Sequence, residues 1–292
     1  EPQQNVFVYN NSTSVTYRIP AIATAKNGTV LAVTDSRHTG MGDIGAGRID
    51  LFLSRSTDNG ATWSNPDVLR DASGNAVAQG IGKDNNVSAN DRRNAGYGDA
   101  AIVADRESND VILLSASGQV GFFGSTRNTP IAVARWYSHD NGTTWTQPDD
   151  ITDQIYSLFD GADKSPRGKV ESLFFGSGRI VQSHRVKVGT HYRLYAVVLG
   201  RTNVFSNWVL YSDDFGKTWN VLGKGTIPAV PSGADEPKAE ELPDGSVLVS
   251  SRVGGGRYYN IYRYTNTATG EGQWGSVAYS SLKKASSNAC NG

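Results

Sequence analysis

An eight-residue pattern that occurs three times limits the folds open to this chain more than any other feature. The pattern is Ser-x-Asp-x-Gly-x-Thr-Trp, at residues 56–63, 138–145 and 212–219. Its Asp can accept bonds from its own loop, its Gly tolerates a positive φ, and its Trp offers a large ring for burial. Short apolar segments precede the copies, at residues 49–53, 131–136 and 208–211. Each copy is therefore predicted to form a β-hairpin corner, with a structural role and no chemistry of its own.

The rest of the chain has the patterning of an all-β protein. Its apolar segments are short, rich in β-branched and aromatic residues, and separated by Asn-Gly or Asp-Gly turns. A helical turn is expected near residues 151–159. The aspartates of the repeated pattern are 82 and 74 residues apart, whereas one propeller blade takes roughly 40 to 50 residues. We therefore expect blades with enlarged loops, and a degenerate fourth copy of the pattern that ends at Trp274.

Charge and cysteine content exclude several classes of function. Lys plus Arg and Asp plus Glu each number 28, so net charge gives no reason to expect nucleic acid or an anionic membrane as a partner. Apolar runs are shorter than the roughly 18 residues that a membrane span needs. Cys290 is the single cysteine, which excludes a disulfide within the chain. The histidines lack the spacing of metal ligands, and we expect neither a metal nor a cofactor. We interpret residues 1–292 as one domain.

A segment near the start makes the repeated pattern more specific. Tyr17-Arg18-Ile19-Pro20, followed by the three copies, resembles the bacterial and animal sialidase (neuraminidase) superfamily, and the resemblance runs from Val6 to the end of the chain. The resemblance implies a six-bladed β-propeller of four-stranded antiparallel sheets. It also implies a glycoside hydrolase, a retaining exo-α-sialidase that removes terminal sialic acids from sialylated glycans.

The first half of the chain holds four residues of the implied site. Arginine grips a carboxylate bidentately, and an Asp on a Gly-rich loop is suited to proton transfer. The resemblance assigns substrate binding to Arg18, which grips the carboxylate, and to Arg37, the arginine after the next strand. It makes Asp43 the acid/base. It assigns Asp99 to the N-acyl amide or a ring hydroxyl of the substrate.

Two further residues follow in the second half. Glu236 matches the glutamate that activates the nucleophile, and Arg252 matches the second arginine of the carboxylate-binding triad. The third arginine and the nucleophilic tyrosine of the family come later than this. We therefore expect the last part of the propeller to be missing from this chain and to be carried by a second polypeptide.

Two alternatives of function remain open. A trans-sialidase or an anhydro-forming sialidase uses the same residues with another acceptor, and an inactive propeller binds sialic acid as a lectin. We expect a secreted, cell-surface or periplasmic protein whose signal peptide has already been removed. Phe122 and Phe123, in a Gly-flanked loop, are either core residues or the wall of an acyl pocket.

Overall fold

The computed structural model describes residues 3–9, 14–160, 169–223 and 228–281. Within them the chain forms two compact units. Unit 1 is Glu1–Thr152 with Ser177–Arg179, and unit 2 is Asp153–Gly176 with Ile180–Gly292. The single-domain interpretation of residues 1–292 stays a prediction, and Cys290 lies outside the described residues.

The described residues are nearly all β-structure. The strands are β1 (Thr16–Thr24), β2 (Val30–Arg37), β3 (Ile49–Ser56), β4 (Asp67–Val68), β5 (Tyr97–Ala104), β6 (Val111–Ser117), β7 (Ala132–Ser138), β8 (Asp149–Asp150), β9 (Ser172–Phe175), β10 (Gly178–Arg179), β11 (Val181–Gln182), β12 (Leu194–Arg201), β13 (Phe205–Ser212), β14 (Asn220–Val221), β15 (Pro237–Glu241), β16 (Val247–Val253), β17 (Gly256–Asn266), β18 (Glu271–Trp274) and β19 (Ala278–Ser281). The helix α1 (Thr152–Tyr156) and 3-10 turns at Ala89–Arg92 and Ser157–Phe159 complete the elements. The expected helical turn near residues 151–159 is confirmed.

Unit 1 contains two sheets in its described residues. The first is an antiparallel meander in the order β1-β2-β3-β4, and the second runs β5-β6-β7-β8 with β10 added in parallel to β5. Leu31 to Arg37 of β2 and all of β6 are buried. These middle strands therefore have both faces covered, and the unit's core includes Leu31, Leu51, Ile102 and Trp136.

Unit 2 repeats the arrangement with interrupted edge strands. One sheet runs β11-β12-β13-β14, with β9 also paired to β12. The other runs β15-β16-β17-β18, with β19 also paired to β17. Both sheets are antiparallel, and their shared core includes Tyr195, Val197, Val249 and Tyr262. The prediction of an all-β fold built from four-stranded antiparallel sheets is confirmed.

The three copies of the repeated pattern form the corners that the sequence predicts. They connect β3 to β4, β7 to β8 and β13 to β14, the third and fourth strands of three sheets. In the first copy Asp58 Oδ1 accepts from Thr62 N at 2.8 Å and Asp58 Oδ2 from the Thr62 hydroxyl at 2.6 Å. Ser56 Oγ donates to Asp58 Oδ1 at 2.8 Å and accepts from Gly60 N at 2.8 Å. The polar groups of the pattern thus satisfy one another within the loop.

Two details go beyond the sequence-based expectation. Arg18 and its neighbours lie inside β1, where a register shift between Arg18 and Ala21 accommodates Pro20, which has no N–H to donate. The degenerate fourth copy forms a different corner, because Asn266 Oδ1 accepts from Ala268 N at 2.9 Å and Trp274 lies within β18. In the described residues no helix combines the length and apolarity that crossing a bilayer requires.

Candidate functional site

A buried arginine at the end of β2 organises the polar residues of unit 1. The Arg37 side chain is 0% exposed. Its Nε and Nη2 donate to Asp35 Oδ2 at 3.1 and 2.7 Å. Asp35 lies two residues earlier on the same strand, so both side chains project from one face of β2. The pairing of Asp35 with Arg37 therefore follows from the two-residue periodicity of the strand.

Asp99 reaches the same carboxylate from another sheet. Its backbone N–H donates to Asp35 Oδ1 at 3.0 Å, and its Oδ1 is 3.9 Å from Arg37 Nη2. The approach needs a bulge in β5 between Gly98 and Ala101, where Asp99 has a φ of 55°. A Cβ on Gly98 would lie 2.9 Å from Asp35 Oδ2. Glycine is therefore required beside the carboxylate.

Burial and charge act in opposite directions on this pair. Burial, and then the charge of Asp99, raise the pKa of Asp35 well above its ordinary value, although Arg37 opposes them. Burial would lower the pKa of Arg37, but Asp35, Asp43 and Asp99 outweigh it and the pKa is raised. Arg37 therefore remains a cation inside the fold.

The loop between β2 and β3 folds over Arg37. The carbonyls of Met41 and Gly42 each accept from Arg37 Nη1 at 3.2 Å, and Asp43 Oδ1 also contacts that nitrogen. Asp43 Oδ1 is 3.6 Å from Arg18 Nη1. The side chains of Asp43 and Arg18 are 75% and 34% exposed. We name Arg18, Asp35, Arg37, Asp43 and Asp99 the arginine–carboxylate cluster; it presents a solvent-facing acid beside a solvent-facing cation.

An aromatic pair lies against the same loop. A Cβ on Gly45 would lie 2.5 Å from Gly121 N, so the two backbones touch directly. Phe122 and Phe123 follow at once, with ring centroids 5.4 Å apart, and Phe123 is 80% exposed. The core interpretation is wrong for Phe123, because its side chain is exposed and lies in a loop between β6 and β7.

A second group of predicted residues meets in unit 2. Arg252 donates from Nε and Nη2 to Asp235 Oδ2 at 3.1 and 2.5 Å, and its Nη1 is 3.1 Å from Glu236 Oε2. Backbone bonds connect the same residues, from Asp235 N to Arg252 O at 2.8 Å and from Arg252 N to Glu236 O at 3.0 Å. The register of β15 on β16 thus holds one guanidinium between two carboxylates.

Arg252 borders an open cavity of about 410 Å³. Val204, Phe205 and Val253 line it together with Arg252 and Asp235. Lys238, on the adjacent strand, has its pKa lowered by burial, against the opposing charge of Glu236. A guanidinium, a carboxylate and apolar side chains thus share the lining of this cavity.

The structure thus brings the predicted residues together in two groups. Arg18, Arg37, Asp43 and Asp99 meet in unit 1, and Glu236 and Arg252 meet in unit 2. Sequence reasoning missed the carboxylates that hold the arginines, Asp35 and Asp235. The two-residue spacing from Asp35 to Arg37 was a usable signal on a strand, whereas no comparable signal identifies Asp235. Among the described residues no group of three His, Cys, Asp or Glu side chains could hold a metal ion.

Comparison with known proteins identifies relatives of the chain. The BNR/Asp-box repeat family matches residues 210–221, which contain the third copy of the pattern. A sialidase of Micromonospora viridifaciens is 31% identical over 262 residues, covering 86% of this chain and 35% of the relative. A sialidase of Paraclostridium sordellii is 27% identical over 274 residues, covering 90% of this chain and 59% of the relative.

Solved structures show the same fold. The leech intramolecular trans-sialidase, complexed with 2,7-anhydro-Neu5Ac, has a TM-score of 0.68 at 17% identity, covering 97% of this chain and 54% of that one. The chain thus spans between about a third and three fifths of the relatives and the structure that it matches. The repeated Asp-box corners, the sheets and these similarities establish that the chain belongs to the sialidase superfamily with Asp-box repeats.

Proposed function

We propose that the protein is an exo-α-sialidase that hydrolyses terminal α-linked sialic acids from glycoconjugates with retention of configuration. The observation that carries the proposal is the arginine–carboxylate cluster, with exposed Arg18 and Asp43 held over buried Arg37. A sialic acid has a carboxylate on its anomeric carbon, and arginine is the side chain suited to grip it. Such a substrate would repel a carboxylate nucleophile, and sialidases are known to use a tyrosine instead.

In unit 1 the proposed roles follow the exposure of each group. Arg18 binds the substrate carboxylate, and Arg37 holds the loop that carries Asp43 while adding positive charge beneath the site. Asp43 protonates the leaving oxygen and then removes a proton from the attacking water. Asp99 contacts the N-acyl amide or a ring hydroxyl of the substrate. Asp43 has the solvent access that both proton transfers need.

In unit 2 the proposal assigns roles to Arg252 and Glu236. Arg252 acts as a carboxylate-binding arginine, oriented by Asp235 at 2.5 Å. Glu236 withdraws the proton of the nucleophilic tyrosine. The third arginine and this tyrosine are expected on a second polypeptide, and this expectation stays a prediction. We also propose a secreted, cell-surface or periplasmic location.

Intramolecular transfer is the second candidate. It is favoured by the likeness to the leech enzyme, which was complexed with 2,7-anhydro-Neu5Ac. Such an enzyme releases the anhydro sugar in place of the free acid, and a trans-sialidase passes the sialyl group to an added galactoside. Mass analysis of the products, with and without the galactoside, separates these activities from hydrolysis.

A fluorogenic sialoside assay on the full-length protein, with any polypeptide that co-purifies, tests the proposal. We expect turnover, with free α-sialic acid as the first product. NMR of the reaction mixture detects this product. If the protein binds sialic acid without turnover, it is a lectin and the proposed enzyme activity is wrong. Absence of both binding and turnover would also refute the proposal. Mass spectrometry of the same preparation detects a second polypeptide and defines the mature N-terminus.

A further inference from the structure

A second charged group lies at the base of the loop that carries Asp43. Asp50 Oδ2 is 2.9 Å from His38 Nε2 and 2.8 Å from Arg48 Nη2, and Asp50 Oδ1 accepts from Arg48 Nε at 3.0 Å. Gly80 N also donates to Asp50 Oδ1, at 2.9 Å. We name His38, Arg48 and Asp50 the loop-base cluster. Sequence reasoning assigned no role to it.

The loop-base cluster joins the two ends of the loop. His38 is the first residue after β2 and Arg48 the last before β3. Their backbones also meet, because His38 N donates to Arg48 O at 3.2 Å. Asp50 lies on β3, its side chain 3% exposed, whereas those of His38 and Arg48 are 31% and 37% exposed. A buried carboxylate thus ties both loop ends to a rigid strand.

The loop needs such a restraint because of its composition. Four of its eleven residues are glycines, at positions 40, 42, 45 and 47. Glycine loses more conformational entropy on ordering than any other residue. A Cβ on Gly47 would lie 2.6 Å from Thr39 Cγ2, so the loop is tightly folded above its base. The base therefore holds both ends of the segment on which Asp43 lies.

We propose that His38, Arg48 and Asp50 are positioning residues that set the distance between Asp43 and the leaving oxygen of the substrate. The inference rests on the proposed function. The three side chains act through the loop and do not touch substrate. Removing one of them should impair the step that Asp43 performs, while carboxylate binding by Arg18 is retained.

Two substrates separate positioning from general structural damage. An alkyl sialoside has a poor leaving group that needs protonation, and an aryl sialoside has a good one that does not. In the full-length protein we expect Asp50→Asn to lower kcat on the alkyl sialoside by about 10- to 100-fold and on the aryl sialoside by less than about 3-fold. Arg48→Gln, at a half-exposed position, should change kcat in the same sense by a smaller factor.

His139 provides the matched control. It forms a His–Asp pair of its own, 2.7 Å from Asp110, in the second Asp-box corner of unit 1. His139→Gln should leave the ratio of alkyl to aryl turnover unchanged. An equal fall on both substrates in Arg48→Gln, or a change of the ratio in His139→Gln, would overturn the inference.

Amide hydrogen exchange gives a readout that does not depend on activity. In Arg48→Gln we expect faster exchange in residues 38–48 and at Gly80, with residues 111–117 of β6 unchanged. Unchanged exchange in the loop would refute the inference even in an enzyme of normal activity. If the wild type turns over neither sialoside, the proposed function fails by itself, and the exchange result still decides whether the loop-base cluster restrains the loop.

Discussion

The Asp-box corners and the arginine–carboxylate cluster both hold aspartates in dense hydrogen-bond networks, yet they do so in opposite ways. Asp58 takes its bonds from Ser56 and Thr62 of its own loop. The Thr62 hydroxyl and backbone lower the pKa of Asp58 to about 2. Asp35 takes one bond from Asp99, 64 residues away, and burial raises its pKa.

This comparison distinguishes aspartates that stabilise turns from charged residues that lie in the candidate site. The exposed carboxylate of Asp58 accepts three hydrogen bonds from its own loop, and these bonds stabilise the turn. The arginine–carboxylate cluster instead keeps a cation inside the protein, and it leaves Asp43 and Arg18 at the surface. Buried Asp35 therefore holds buried Arg37, while Arg18 and Asp43 stay accessible to solvent.

Replacing Asp43 should have the largest effect. Under the proposed function, Asp43→Asn lowers kcat on an alkyl sialoside by about 10²- to 10⁴-fold, because general acid catalysis is lost. Binding of free sialic acid, measured by calorimetry, should be retained, since Arg18 keeps its charge. Asp58→Asn is the matched control and should leave kcat unchanged. Equal losses in the two variants would abolish the distinction between scaffold and chemistry.

Removing Asp35 should have the next largest effect. Asp35→Ala leaves Arg37 as a buried cation without the carboxylate oxygen that accepts from its Nε and Nη2. The loss should cost about 3–5 kcal/mol of unfolding free energy. Asp67→Ala removes the partner of exposed Arg70, 2.7 Å away, and should cost far less, because solvent screens a surface pair. Urea denaturation measures both. Similar losses would show that burial of the cluster contributes little.

Two glycines at the same position of the Asp-box pattern test whether that position has the same surroundings in different corners. Gly60 and Gly142 have φ values of 88° and 80°, so alanine at either costs about 1–2 kcal/mol. A Cβ on Gly142 would also lie 2.5 Å from Leu31 Cδ1, whereas Trp63 at 3.8 Å is the nearest neighbour of Gly60.

Gly142→Ala should therefore cost about 1–3 kcal/mol more than Gly60→Ala, because the core has to shift. Thermal unfolding of the two variants checks the difference. Equal costs would mean that the corner, and not Leu31 beneath it, dictates glycine at this position.

Acid should weaken the contribution of Asp58 to the stability of the fold. This is the smallest of the expected effects. The pKa of Asp58 falls from 3.8 to about 2 on folding, so its ionised form stabilises the fold above about pH 4. That contribution disappears as pH falls toward 2. The difference in Tm between wild type and Asp58→Asn should shrink from pH 5 to pH 2. A difference that is constant over this range would contradict the assignment.

Sequence patterns were sufficient where the interacting residues are close in the chain. The three corners were predictable because Ser, Asp, Gly and Thr of one copy bond to each other within eight residues. Arg18, Arg37 and Asp43 were grouped by resemblance. In the structure Asp43 lies beside both arginines. Asp35 could have joined them, since strand periodicity puts it on the face of Arg37.

Tertiary structure alone decided the partners that come from distant segments. Asp99 meets Asp35 because a bulge in β5 turns its N–H across to the neighbouring sheet, and Gly80 reaches Asp50 from outside the loop. Leu31, a buried residue of β2, lies beneath Gly142 of a corner that follows β7. Such contacts depend on packing between elements, which no local pattern encodes. The sequence by itself thus determined the corners and the family and predicted the acid and the arginines, and only the packing decided which carboxylates hold those arginines in place.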